Sequence, residues 1–520
     1  MPERTAPVLG VGSWIERRAR TNPAGIALIS DDRSFTYAEL AARIRRLASG
    51  LRGLGVARGD RVAWLGSNHP AFLESLFAAN LLGAALAPVN HRLNAAEILS
   101  VLEDTEPVAL IQNHAEAVQV PPSVRLRIGV GVAGSPHDAM DFESLVAESA
   151  EDAIEEPIDL DDLSLLPHTS GTTGRPKGVM LTHGNVTWNV VNFLSSADFR
   201  RDDVTVAIAP FFRVGGTGVN VLPILFLGGT VVVGAETSAG EILRLIQLHR
   251  VSVGFGNPDI LDAMVRSELW PTTDLSSVRF IITGGAPVGE RLIRAFLDRG
   301  VPLLQGYGLS EAGPLALILD PESALRKIGS AGRPPLLIDV RIEDPSGIDV
   351  GPGETGELVV RGPNVMAGYW KRPDATRRVL SSDGWLRTGD AARADRDGDV
   401  WIVDRVREAF TTDGRRVYPG DIERALLGHP AVADAGVVGL PADARGSVAA
   451  AFVVLIAGVE VTEHELQNFC RERLAPHQVP ASVTFVDHLP RNSVGKLIRG
   501  QLQAPAPSPV QPPTGEAGTE

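Results

Sequence analysis

The sequence predicts a mixed α/β protein, with a large N-terminal α/β domain followed by a small C-terminal α+β domain. Three observations carry this reading. The chain has 520 residues, more than one hydrophobic core normally serves. Short apolar runs alternate with helical patterns from residue 61 to 112, as in a largely parallel sheet with helices packed on it. Beyond Asp404 strand patterns at 435–439 and 448–455 and helical patterns near 421 and 463 form a stretch the size of a small independent domain. The boundary is placed there: residues 1–404, then 405–503, then a tail at 504–520 whose Pro, Ala and Ser content predicts disorder.

An amphipathic helix opens the stretch 13–53, and Phe35-Thr-Tyr-Ala-Glu-Leu40 begins a second, with Thr36 as its cap. Arg61-Val-Ala-Trp-Leu65 reads as a strand, a helix follows from about Pro70 to Leu82, and residues 83–88 form another buried strand. The same rhythm recurs at 108–112 and 203–234. Phe280-Ile-Ile-Thr is a buried strand ending in the turn Gly284-Gly285-Ala286, and Gln305-Gly306-Tyr307-Gly308 is a second such strand end. Open α/β sheets place ligands at strand ends of this kind. Residues 356–364 and 367–370 are β-rich, and Arg396-Asp-Gly398 is a hairpin signal feeding Val400-Trp-Ile-Val403.

Composition narrows the function. A net charge of −14 argues against nucleic acid or an anionic membrane as the main partner. The single cysteine, Cys470, excludes an internal disulfide and a cysteine-based metal cluster. The first residues show no signal-peptide pattern, and the most apolar run, 220–233, is too short to span a bilayer, so a cytoplasmic protein is expected. No residue pattern specifies an oligomeric state. Lys177, Lys327, Lys371 and Lys496 are the only lysines, the rest of the 49 basic residues being arginine. A lysine in such a chain points to a site that wants a compact ammonium.

Two lysines sit in glycine-containing loops. Thr169-Ser170-Gly171-Thr172-Thr173-Gly174-Arg175-Pro176-Lys177-Gly178 joins two predicted strands. Its glycines let backbone N–H groups face a ligand, its hydroxyls add donors and Lys177 adds charge, which together suit a polyphosphate. It is not the G-x-x-x-x-G-K-[ST] loop, because Pro176 stands at the second glycine position. Taken alone it also reads as a flexible turn.

The run resembles the phosphate-binding loop of the adenylate-forming superfamily, which includes acyl-CoA synthetases, and the likeness covers nearly all of residues 10–503. The resemblance implies ATP and Mg²⁺ as cofactors, an acid as substrate, and a mobile C-terminal domain hinged near Arg407. It implies that the 169–178 loop, Gly284, Gly285, Ala286, Gln305, Gly306, Tyr307, Gly308 and Ser310 bind nucleotide, with Tyr307 stacking on adenine. Glu311 would hold magnesium, Asp390 and Arg405 would contact ribose, and Lys496 in Pro490-Arg-Asn-Ser-Val-Gly-Lys496 would be catalytic. Asp390 alone would also read as a turn residue after Gly389.

Arg213 in Pro210-Phe-Phe-Arg213 stands where the family usually has histidine. It either packs over a neighbour or faces the acid, since guanidinium matches an oxyanion bidentately. The implied function is an acyl-CoA ligase, with CoA as acceptor. Against CoA, Asp413-Gly414 replaces a common Gly-Gly, Ser447 replaces a glutamate and His477-Gln478 replaces a Tyr-Lys pair. One alternative is a diazotase-like enzyme that adenylates nitrite and passes it to an aryl amine; another is a nucleotide-binding module without catalysis.

Overall fold

The computed structural model describes residues 10–30, 33–114, 118–131, 139–169, 176–234, 238–286, 288–442, 446–491 and 497–502. It has the expected mixed α/β architecture, in two compact units. The larger comprises Met1–Gly353, Leu358–Thr388 and Ala394–Trp401; the smaller comprises Glu354–Glu357, Gly389–Arg393 and Ile402–Glu520.

The larger unit is built on sheets whose strands alternate with helices. Arg61–Leu65 runs parallel to Ala85–Val89 on one side and Ala109–Gln112 on the other. The helix Pro70–Leu81 between them is buried along its whole length. It starts with Pro at a first-turn position, where the missing N–H costs nothing. The helix Tyr37–Gly53 starts on Thr36, whose hydroxyl accepts from Glu39 N while the Glu39 carboxylate accepts from Thr36 N. Lys177–Thr182 extends this sheet, pairing antiparallel with Leu163–Leu165 and with Gly368–Tyr369. A second sheet sets Val253–Gly256, Phe280–Gly284 and Leu303–Tyr307 parallel and side by side, with a core of Ile242, Leu261, Ile281 and Phe296 behind them.

In the smaller unit Gly446–Leu455 is the central strand, flanked by Val432–Ala442 and Ser482–Phe485. Alternation puts Ala449, Ala451 and Val453 on one face, against the helices Pro419–Leu427 and Glu463–Arg471 through Ile422, Leu426, Leu466 and Cys470. Ala450 and Phe452 point to the other face, which Leu489, Leu497 and Leu502 cover. Asp413 and Gly414 both have positive φ, as a two-residue hairpin between Phe410–Thr412 and Arg415–Val417 requires.

His183, the first residue of the helix His183–Ser196, is buried. Its Nδ1 accepts the Val11 N–H at 3.0 Å, and its Nε2 has no hydrogen-bond partner among the described residues. Burial lowers its pKa to about 4, with Asp162 partly opposing. An unfolded chain with the ordinary value of 6.5 takes up a proton that the folded chain refuses. Stability from this group is therefore complete above pH 6.5 and lost as pH falls toward 4. In His183→Gln, denaturant titrations across that range should show a pH slope shallower by up to about 1.4 kcal/mol per pH unit, the value for one proton.

Candidate active site

The strands Phe280–Gly284 and Leu303–Tyr307 pair with Thr283 opposite Gln305 and Gly284 opposite Gly306, so their C-terminal ends finish together. Backbone closeness there demands glycine. A Cβ on Gly284 would lie 2.5 Å from Gly306 O, and one on Gly308 would lie 1.6 Å from Pro314 O. Gly285 turns the chain with φ +85° and leads to Ala286. Thr283 Oγ1 and Gln305 Oε1 are buried and have no hydrogen-bond partner among the described residues. Register partners share a sheet face, so both unpaired groups belong to one side of these strand ends, as does the strand-to-loop path through Tyr307.

Ser310 and Glu311 follow in a short 3-10 helix, Ser310–Ala312, closed by Gly313 at φ +69°. Buried asparagines hold this turn. Asn364 Nδ2 donates to Ala312 O at 2.5 Å and to Leu315 O at 2.7 Å. Asn185, Asn189 and Asn192 lie on one face of the helix His183–Ser196. Asn185 Nδ2 reaches Pro363 O and Val365 O, Asn189 Oδ1 accepts from Leu315 N, and Asn192 donates to Asn364. One helix thereby staples the two loops that carry the acidic turn.

Glu311 Oε1 accepts the Tyr369 hydroxyl at 2.8 Å. Burial first, then the Glu311 charge and this hydrogen bond, raise the Tyr369 pKa above its ordinary value. Tyr369 sits opposite Val179, and Lys177 Nζ lies 5.0 Å from the centre of its ring. Lys177 pairs with Thr169 across the base of the glycine-rich loop. Ser170, Gly171, Thr172, Thr173 and Gly174 lie outside the described residues. At the same base the His168 ring is largely enclosed, its Nε2 3.4 Å from Asp104 Oδ2, and Asp104 also accepts from Arg372 at 2.6 Å. The motifs do not mark Tyr369, His168, Thr283 or Asn364. Tyr369 carries one available signal: it is one of only four tyrosines, set in an apolar strand where a buried hydroxyl needs a partner.

Arg213 is exposed and caps the start of the short helix Val214–Gly218. Asn68 fixes the preceding loop, accepting from Phe211 N and donating to Ala207 O and Ala209 O. The Arg213 guanidinium has no ion pair or side-chain hydrogen bond among the described residues. Partial desolvation, then repulsion from Arg92, lowers its pKa.

In the smaller unit Asp390 is buried inside the strand Leu386–Ala394, not in a turn, and Arg405 Nε lies 2.9 Å from its Oδ1. Lys496 lies outside the described residues. The chain on either side of it is anchored: Arg491 grips Asp434, and Arg499 donates to both Glu423 oxygens at 2.7 and 2.8 Å.

Residues 15–370 match the AMP-binding enzyme family, and residues 421–496 match its C-terminal domain. A feruloyl-CoA synthase of Amycolatopsis sp is 44% identical over 496 residues, covering 95% of this chain and 98% of the relative. The chain belongs to the AMP-binding enzyme family. An indoleacetate–CoA ligase of Aromatoleum aromaticum is 37% identical, covering 95% and 97%. An o-succinylbenzoate CoA synthetase of Bacillus subtilis, solved with ATP and magnesium ion, superposes with a TM-score of 0.81 at 33% identity, covering 94% and 99%.

The residues of this AMP-binding enzyme fit a nucleotide and a magnesium ion. Among the described residues the side chains of Thr283 and Gln305 keep unpaired groups at the strand ends, and the backbone at Gly284 and Gly308 is packed without side chains. Magnesium is commonly held by one or two carboxylates plus substrate phosphates, which a single carboxylate such as Glu311 suits. The one carboxylate cluster among the described residues that could hold a metal by itself is Asp395, Asp397 and Asp399. The Lys327 ammonium already contacts all three and Arg333 also pairs with Asp399, so the cluster is a hairpin turn whose charge two cations largely offset.

Gly308→Ala should force the segment away from Pro314. ATP affinity measured by calorimetry should fall roughly tenfold or more, with a lower melting temperature, since backbone displacement at such contacts costs about 1–3 kcal/mol.

Proposed function

We propose that the protein is an ATP-dependent ligase that joins an aryl-substituted carboxylic acid of the arylpropenoic class to coenzyme A through an acyl-adenylate. The observation that carries this is near-full-length similarity, at 44% identity, to a feruloyl-CoA synthase.

Adenylation brings a carboxylate oxygen onto an α-phosphorus whose oxygens are already negative. The barrier is therefore charge repulsion and alignment rather than lack of a nucleophile. The acid oxygen forms the new P–O bond, pyrophosphate leaves with the electrons of the broken one, and no protein atom is consumed. Lys177 and the loop hydroxyls hold the phosphates; Gln305, Thr283 and Tyr307 receive the base; Asp390 and Arg405 take the ribose. Glu311 would hold magnesium, which when bound would offset phosphate charge. Lys496 supplies the cation at the acid oxygen and α-phosphate. In the second step the CoA sulfur attacks the acyl carbon, the thiol proton passes to solvent and AMP leaves.

CoA is a polyanion, and Gln478 lacks the charge of the usual lysine. In the smaller unit a cavity of about 530 Å³ is lined by Thr412, His477 and Arg471, so a cation is present in that neighbourhood. The nitrite alternative would need Arg213 to be an internal anchor; Arg213 is an exposed residue, which gives that reading no support.

Incubation with ATP, CoA and a panel of arylpropenoic, fatty and small acids, including nitrite with aryl amines, should yield arylpropenoyl-CoA, AMP and pyrophosphate by mass spectrometry. Nitrite- and amine-dependent AMP release without thioester would overturn the proposal. Lys496→Ala should cut pyrophosphate exchange by roughly a hundredfold or more, the scale of one preorganised charge contact. It should leave thioester formation from presynthesised adenylate within a fewfold. Arg213→His should keep thioester formation within a fewfold of wild type, and a steep rise in KM for the acid would show that Arg213 contacts it.

A further inference from the structure

We infer that Tyr369 is a positioning residue of the adenylation site, which holds the Glu311 carboxylate through its hydroxyl and seats the Lys177 ammonium on its ring, keeping the two opposite charges apart. The inference rests on the roles proposed above for Glu311 and Lys177.

A polyphosphate–metal site needs a free ammonium for the phosphate and a free carboxylate oxygen for the metal. Placed near one another without a spacer, two such groups pair and cancel. Among the described residues Lys177 makes no ion pair, although Glu311 lies across the same side chain. The ring gives the ammonium a π face at 5.0 Å, and the hydroxyl gives Glu311 Oε1 a donor at 2.8 Å. Each charge is thereby compensated without meeting the other. Glu311 Oε2 takes no hydrogen bond from the described residues, which leaves it for a hard cation.

The ring itself has little freedom. Tyr369 N donates to Thr376 Oγ1 at 2.9 Å, Trp370 N to Gly178 O at 2.8 Å, and Ala367 N to Met180 O at 3.0 Å. The last two bonds tie the segment to the strand that carries Lys177. The neighbouring Gly368 has φ +144°, and a Cβ there would meet Thr376 Cγ2 at 2.9 Å. Phenylalanine in this position would pack equally well, so the hydroxyl is what core packing alone does not explain.

The test separates hydroxyl from ring. ATP binding is measured by calorimetry across a magnesium titration for wild type, Tyr369→Phe, Tyr369→Leu and Glu311→Gln, with melting temperatures of the unliganded proteins. Tyr369→Phe should raise the magnesium concentration for half-maximal ATP affinity roughly tenfold, the scale of a hydrogen bond to a charged group. Its metal-free ATP affinity should stay within about twofold. Tyr369→Leu should weaken ATP binding with and without magnesium, because Lys177 then pairs with Glu311. An unshifted magnesium curve in Tyr369→Phe alongside a shifted one in Glu311→Gln would reduce Tyr369 to core packing and leave the Glu311 assignment intact. An unshifted curve in Glu311→Gln would instead overturn the metal role of Glu311 and the inference with it. Should Tyr369→Leu fail to fold, Tyr369→Phe decides alone.

Discussion

The site in the larger unit depends on the backbone pairing of one strand, Lys177–Thr182. On one edge it bonds Leu163–Leu165 and, past the bend, His168–Thr169; on the other it bonds Gly368–Tyr369. The first pairing brings the two ends of the glycine-rich loop together. The second brings a tyrosine almost two hundred positions away beneath the loop's lysine. Because side chains alternate across a strand, a slip of one residue would turn Tyr369 to the opposite face, away from both Lys177 and Glu311. Register here is therefore a condition for chemistry as well as for stability. Gly178 shows how tight it is: a Cβ there would meet Leu166 and Trp370 at 3.1 Å and His168 at 3.2 Å.

The same strand leads directly into the helix His183–Ser196, and that helix solves a second problem. The loops around Glu311 and residues 363–365 are irregular yet enclosed, so their carbonyls need partners that no sheet supplies. Asparagine amides meet the need, each offering donors and an acceptor from a short, stiff side chain. Placed at helical spacing, they turn one helix into a scaffold for two loops distant in sequence. The acidic turn is thus positioned from behind by neutral groups.

Lysine usage illustrates how a chemical argument from sequence succeeds and where it stops. An arginine-rich chain with four lysines invites the reading that each marks a site. Lys177 lies at a loop base beside a tyrosine ring. Lys327 instead contacts the hairpin aspartates 395, 397 and 399, and Lys371 pairs with Glu106 at 2.9 Å. A compact ammonium serves a crowded acidic turn as well as it serves a phosphate, so the residue type alone does not separate the two uses.

What the sequence by itself determined is what short-range physics encodes. Strand and helix patterns at 61–112, the Thr36 cap, the glycine turn at Gly284–Gly285 and the hairpin at 396–398 depend on periodicity and local backbone preference, and they appear where those rules put them. Motif resemblance carried the family, because several short patterns recur in one order along the chain. Tertiary structure alone decided that Asp390 lies inside a strand and pairs with Arg405, that Arg213 is exposed, and that Tyr369 touches both Lys177 and Glu311. The last two turn on sheet register and side-chain direction across long separations, and no local propensity carries that information. Asp390 shows the converse case, in which Gly389 favours a turn locally and strand pairing across the chain overrides it.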